Sequence, residues 1–207
     1  MPVSLVLGTT NAGKLRELVP LLEPHGIACE SLAGLAAAVE VEETGNTFAD
    51  NAALKATAQA RALGRWVLAE DSGLVVPALG GAPGVHSARF SGPAPPGERQ
   101  ATDARNNLLL LERLAGRRGG ERAAFYACHA ALADPTGVIV AVAAGVCGGV
   151  IAEEPAGAGG FGYDPLFIVP EYHRTFGELA LAVKGVISHR GRALRAILPA
   201  VLRGVAG

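Results

Sequence analysis

Gly137 to Ala152 runs for sixteen residues without a charged side chain, and a chain carrying such a run must bury it in lipid or in a protein core. A membrane-spanning helix needs about 20 apolar residues. This run is shorter and is interrupted by Gly137, Gly145, Gly148 and Gly149, whereas Val138-Ile139-Val140-Ala141-Val142 has the β-branched content of a buried strand. We read it as sheet, with no membrane segment. Ala123 to Ala133 reads as a second long strand, joined to Val138–Val150 through Asp134-Pro135-Thr136-Gly137, a run of turn-forming residues.

The rest of the chain alternates. Ser4 to Leu7 reads as a strand, Gly8 to Asn11 as a turn, and Leu15, Leu18, Val19 and Leu22 follow at helical spacing until Gly26. Pro20 inside that helix predicts a kink or an early stop. A strand at Ile27–Ser31 leads through an acidic loop to Thr47, placed to cap an alanine-rich helix reaching Leu63. Trp66 to Ala69 reads as a strand running into Glu70-Asp71-Ser72-Gly73, and Gly80 to Pro96 as a loop rich in Gly and Pro. A helix over Thr102–Leu114, a strand over Leu166–Val169 and a final helix over Arg190–Leu202 complete the pattern. No repeat or linker breaks it, which predicts one mixed α/β domain over residues 1–207.

Composition narrows the class. Half of the 207 residues are hydrophobic and 18% are charged, a globular balance that excludes disorder. A formal net charge of -1 argues against a nucleic-acid partner. Cys29, Cys128 and Cys147 are far apart, with no CxxC pair, so neither a disulfide framework nor a zinc site is expected. Reduced thiols and a start, Met1-Pro2-Val3, without a basic region predict a cytoplasmic protein whose mature chain begins there.

Three segments could carry chemistry. Gly8-Thr9-Thr10-Asn11-Ala12-Gly13-Lys14 has the GxxxxGK part of a P-loop between a strand and a helix, but Leu15 stands where a P-loop needs Ser or Thr. What survives is an anion site at a helix N-terminus, the plain alternative being an ordinary turn with a surface lysine. Glu42-Glu43 and Glu70-Asp71 are acidic pairs flanking the alanine-rich helix. Such pairs usually lie on solvated faces. Beside a phosphate site, however, they suit Mg2+, which is held by one or two carboxylates plus phosphate oxygens, and one could take a proton from an attacking water. Lys14, Lys55 and Lys184 are the only lysines among 18 Lys and Arg residues, which suggests a need for compact point charges. In the third segment, Gly159 to Pro165 sets Phe161 among glycines, followed downstream by Ser188-His189-Arg190; these could face a base or be core and the polar start of a helix.

Taken together, these segments resemble the inosine triphosphate pyrophosphatase family, which converts ITP, dITP and XTP to monophosphates and pyrophosphate. The resemblance rests on six motifs in order: Thr10–Lys14 with Glu17, Glu42–Phe48 with Asn51 and Lys55, Glu70–Leu74, Gly80–Gly84 through Ser87–Arg89, Gly160–Pro165, and Ser188–Gly191. It implies that Thr9, Thr10, Asn11, Ala12, Gly13 and Lys14 bind the substrate's phosphates, and that Asp71 is both a metal ligand and the proton acceptor. It implies substrate contacts from Lys55, Ser72 and Lys184, with Glu42 as the second carboxylate for Mg2+ and Glu43 as its alternative. Phe161, Gly162, Tyr163 and Asp164 with His189 and Arg190 would form the base pocket, Phe161 stacking on the purine. The implied architecture is an elongated mixed β-sheet with flanking helices and two lobes around a central substrate cleft, in a homodimer. Pro20 and the weakly acidic Phe176–Leu181 segment depart from the family pattern.

Two other classes compete. A P-loop kinase or ATPase would use Val67 to Asp71 as its acidic strand, but Leu15 opposes it. A non-catalytic nucleotide sensor would share the phosphate loop and has no evident use for both acidic pairs. A pyrimidine-directed pyrophosphatase would differ in substrate rather than in reaction.

Overall fold

Side-chain caps and glycines fix the helix ends where the sequence marks them. The computed structural model describes residues 3–93, 95 and 97–206; the uncharged start at Met1-Pro2 and Pro96, at the end of the Gly- and Pro-rich loop, lie outside the described residues. Helix α1 (Ala12–Leu22) is capped by Asn11, and α2 (Phe48–Leu63) by Thr47, whose hydroxyl accepts from the Asp50 amide while donating to the Asp50 carboxylate. Gly64, in the left-handed region, closes α2. Pro20 neither breaks α1 at once nor leaves it to run on. The helix passes it by two residues, then yields to a 3₁₀ turn, Glu23–His25.

Among the described residues, seven strands, β1 (Val3–Leu7), β2 (Ile27–Ser31), β3 (Val67–Val75), β4 (Ala123–Ala133), β5 (Ile139–Ile151), β6 (Phe167–Val169) and β7 (Arg174–Thr175), form one sheet in the order β2-β1-β3-β4-β5-β6-β7. β1 is parallel to β2 and β3, and β6 is antiparallel to β5 and β7, so the sheet is mixed. The remaining helices are α3 (Arg99–Arg113), α4 (Leu181–Ile187) and α5 (His189–Ala206). The mixed α/β architecture is the one expected. β3 runs six residues beyond Ala69, so Glu70 to Gly73 lie within the strand rather than after it.

The uncharged run is indeed a strand, β5, but not one buried on both faces. Val138, Val140, Val142 and Val146 are exposed, while Ile139, Ala141 and Ala143 alternate with them as half-buried residues. Apolar composition on both faces reads as full burial in sequence; pleating then separates a covered face from an open one. Among the described residues no helix is long and apolar enough to cross a membrane.

The chain divides into two compact units, the first from Met1–Asp71, Cys128–Val146 and Ser188–Gly207, the second from Ser72–Ala127 and Cys147–Ile187. In the first, alternation along β1 sends Leu5 and Leu7 into a core with Leu18 and Leu22 of α1 and Ile197 and Val201 of α5. Val6 joins a second core with Val67, Ala69 and the Ala52, Ala56 and Ala60 stripe of α2. Helices thus cover both faces of these strands, as parallel sheet requires. The second unit has its own core, in which Phe167, Phe176 and Tyr126 form an aromatic cluster with Leu110, Leu114 and Leu166.

Candidate active site

The loop between β1 and α1 begins at Gly8, where a Cβ would meet the Cβ of Ala69 at 2.8 Å, so only glycine lets β1 end this close to β3. Thr9 Oγ1 accepts from the Asn11 amide at 3.1 Å, and Asn11 Oδ1 accepts from the amides of Gly13 at 2.8 Å and Lys14 at 3.3 Å. Three amides of the expected anion cradle are therefore already satisfied from within the loop. Asn11 occupies the position at the helix N-terminus that an anionic oxygen would take.

Glu70 and Asp71 are consecutive in β3, so they leave the strand on opposite sides. Glu70 joins the α1/α5 side. Its Oε1 meets Lys14 Nζ at 2.9 Å and Arg190 Nε at 3.2 Å, and its Oε2 accepts from Cys128 Sγ at 3.4 Å. Arg190 continues the chain of charge to Glu17. Burial opposes the Glu70 charge, but Arg190, Lys14 and Lys55 override it and hold the carboxyl well below its ordinary range. Burial opposes the Arg190 charge too, and Glu70 and Glu17 keep the guanidinium protonated.

Asp71 joins the α2 side. Lys55 Nζ lies 2.9 Å from its Oδ1, and Asn51 Nδ2 donates to its Oδ2 at 3.3 Å. Asn51 and Lys55 are four residues apart on α2, hence on one face. Lys55 also meets Glu43 Oε1 at 2.6 Å. One ammonium is thereby divided between two carboxylates: burial raises the proton affinity of Asp71, and the shared Lys55 only partly offsets it. Lys55 loses by burial and gains more from Asp71 and Glu43, so its own pKa is raised. Glu43 is thus the glutamate brought to Asp71, and its neighbour Glu42 is exposed on the same loop.

Asp71 and Glu43 offer hard oxygen donors on either side of the Lys55 ammonium, a set that fits a divalent cation such as Mg2+. Among the described residues no three His, Cys, Asp or Glu side chains come together as a complete metal cage.

In the second unit, Lys184 is buried against Asp164 at 2.7 Å, with its ammonium 5.7 Å from the Phe161 ring centre and 5.2 Å from that of Phe176. Asp164 Oδ2 also accepts from the Phe161 amide at 2.8 Å. Tyr163 is core, its hydroxyl donating to the Ser87 carbonyl at 2.9 Å. Ser72 follows Asp71 in β3 and is half-buried. His189 and Arg190 are buried at the start of α5, in the first unit, whereas Phe161 to Asp164 belong to the second. All three lysines therefore meet a carboxylate: Lys14 with Glu70, Lys55 with Asp71, Lys184 with Asp164.

A sequence model of the Ham1 family matches residues 5–200. The chain belongs to the Ham1 family. This Ham1 chain is 52% identical over 199 residues to a dITP/XTP pyrophosphatase of Rhodopirellula baltica, covering 96% of this chain and 93% of that protein. It is 48% identical over 202 residues to a dITP/XTP pyrophosphatase of Thermus thermophilus, with 98% and 93% covered. Its fold matches that of a HAM1 protein from Coxiella burnetii with a TM-score of 0.83 at 37% identity, over 97% of this chain and 99% of that one. A nucleoside-triphosphatase / dITP/XTP pyrophosphatase from Mycobacterium abscessus matches with a TM-score of 0.72 at 41% identity, over 96% and 99%.

Side chains without a sequence signal complete these networks. Glu17 and Arg190 lie 173 residues apart and nothing in their spacing announces a pair. Cys128 lies in the strand read at Ala123–Ala133 with no disulfide or zinc role, and only the fold brings its thiol to Glu70. Asn51, named among the motifs of the resemblance, could also have been given its role, since it stands one helical turn before Lys55 on a helix placed beside Asp71.

Proposed function

We propose that this Ham1 protein hydrolyses ITP, dITP and XTP to the nucleoside monophosphate and pyrophosphate with Mg2+, as one catalytic domain over residues 1–207, in a cytoplasmic homodimer that binds neither nucleic acid nor membrane. The observation that carries this reading is Asp71, a buried carboxylate of raised proton affinity fixed by Lys55 and Asn51, in a chain whose relatives are named dITP/XTP pyrophosphatases.

The bond broken joins the α- and β-phosphates. A water oxygen adds at the α-phosphorus, its proton passes to Asp71, and pyrophosphate leaves. Asn51 and Lys55 orient the Asp71 oxygens so that one faces the attacking water. When bound, Mg2+ would supply charge neutralisation to the polyphosphate; Asp71 would hold it together with Glu43, the glutamate that Lys55 brings to Asp71, or with the exposed Glu42 beside it. Thr9 to Lys14, with Lys55, hold the phosphates, which replace Asn11 Oδ1 at the Gly13 and Lys14 amides, Lys14 being kept in place by Glu70. Ser72 and Lys184 contact substrate. Phe161 to Asp164 with His189 and Arg190 receive the base, Phe161 through its ring face.

The test is to incubate the protein with ITP and Mg2+ and to quantify pyrophosphate and orthophosphate separately. Pyrophosphate with IMP is expected. Orthophosphate as the first product would replace this reading with that of a P-loop kinase or ATPase.

A further inference from the structure

Phe161 is followed by Gly162, whose φ of +61° lies in the left-handed region, and a Cβ there would meet nothing within 4 Å. Glycine is favoured at this joint by backbone conformation and not by space, which also makes it a freely rotating point of the segment. Yet both of its peptide groups are held from one helix. The Gly162 N–H donates to Asp103 Oδ2 at 2.9 Å, and Asn107 Nδ2 donates to the Gly162 carbonyl at 3.1 Å. Asp103 and Asn107 are four residues apart on α3, so one helical face presents an acceptor and a donor at matched spacing. Arg99, one turn earlier, donates to the other Asp103 oxygen at 3.0 Å and keeps that carboxylate oriented.

We propose that Asp103 and Asn107 are positioning residues that clamp the peptides flanking Gly162 and so hold the Phe161 ring ready for the purine before substrate arrives. The inference rests on the reading of Phe161 as the base platform. Neighbouring contacts complete the restraint: Asp164 takes the Phe161 amide, and Lys184 binds Asp164 beneath the ring. With Gly162 fixed at both sides, the platform loses little freedom on binding, and substrate affinity gains by that amount. Neither Asp103 nor Asn107 needs to touch substrate for this.

The experiment compares Asp103→Ala, Asp103→Asn, Asn107→Ala and Phe161→Ala for ITP hydrolysis and for amide hydrogen exchange over residues 160–164. Asp103→Ala and Asn107→Ala are each expected to speed exchange of this segment and to raise KM for ITP by about five- to tenfold, the effect of losing one hydrogen bond. kcat should change by less than about twofold, because the reacting groups are untouched. Asp103→Asn keeps an acceptor for the Gly162 N–H and should restore KM. Faster exchange with unchanged KM, while Phe161→Ala raises KM, overturns the clamp and spares the base platform. Unchanged KM in Phe161→Ala overturns the platform itself, and with it this inference. Loss of kcat together with KM in both alanine variants, without rescue by Asp103→Asn, makes α3 merely a support of the fold.

Discussion

Glu70 and Asp71 are adjacent in one strand and equally shut away from water, but the two sides of β3 treat them in opposite ways. On the α1/α5 side Glu70 meets two cations at hydrogen-bond distance, and its carboxyl is held ionised. On the α2 side Asp71 shares one ammonium with Glu43, and burial raises its proton affinity. The difference lies in how the cations in reach balance burial. Where they outweigh it, the group is locked and serves structure; where they do not, it can accept a proton or a cation.

The most forceful way to break this comparison is Asp71→Asn, which keeps the shape and removes both metal charge and proton acceptor. kcat for ITP should fall by at least about 100- to 10,000-fold with the unfolding transition little changed. Near-full activity at saturating Mg2+ would remove Asp71 from the chemistry.

Glu70→Gln tests the other side. It leaves Arg190 buried without its central partner and frees Lys14, so unfolding free energy should drop by about 3 to 5 kcal/mol, read from denaturant titration. A variant as stable as the parent would mean that the cluster is solvated enough to dispense with its anion.

Arg190→Met separates two roles that the sequence merges. Its guanidinium bridges Glu17 and Glu70, so this variant should lose stability by leaving both buried carboxylates short of a cation, although the methionine stem preserves packing. If Arg190 also reads the purine 6-carbonyl, an acceptor where adenine offers a donor, kcat/KM for ITP should fall more than for ATP and their ratio should narrow. Lost stability with an unchanged ratio would leave Arg190 to the cluster alone and put base choice on the Phe161–Asp164 segment.

The contrast also explains what was legible in the sequence. The mixed α/β pattern could be read because its strands carry period-two or fully apolar patterns, and because Gly26, Thr47 and the 134–137 turn punctuate them; the mixed sheet itself came with the family resemblance. The site could be read where chemistry is local, as in the loop from Gly8 to Lys14. Opposite projection of Glu70 and Asp71 could not, because β3 reads as ending at Ala69 and a pair beyond a strand has no assigned sides. The Glu17–Arg190 bridge and the hold of α3 on Gly162 depend on pairings 173 and 59 residues apart that only the folded chain creates. Half-exposure of β5 was hidden for the opposite reason, since valine on an open face looks like valine in a core.

The smallest expected effect comes from a third carboxylate, Glu30, which is exposed and so completes the series. Arg65 donates to both of its oxygens, at 2.6 and 3.0 Å, and Ser4 adds a bond at 2.9 Å. Those bonds lower the Glu30 pKa from 4.5 to about 2, against a slight burial effect. The sign follows from linkage: a carboxyl whose folded pKa lies below its unfolded one contributes stability above the unfolded value and loses it as pH falls through the folded value. The Glu30 contribution should therefore be complete above 4.5 and vanish toward 2. Solvent screening keeps it small. Denaturant unfolding of the parent and Glu30→Gln across that window should show a modest gap that closes on acidification and narrows with added salt. A gap that widened on acidification would reverse the assignment, because it would mean that the protonated form is the better partner in the fold. A gap indifferent to both pH and salt would reduce the Glu30 contacts to packing, and charge matching would then govern only the buried carboxylates on either side of β3.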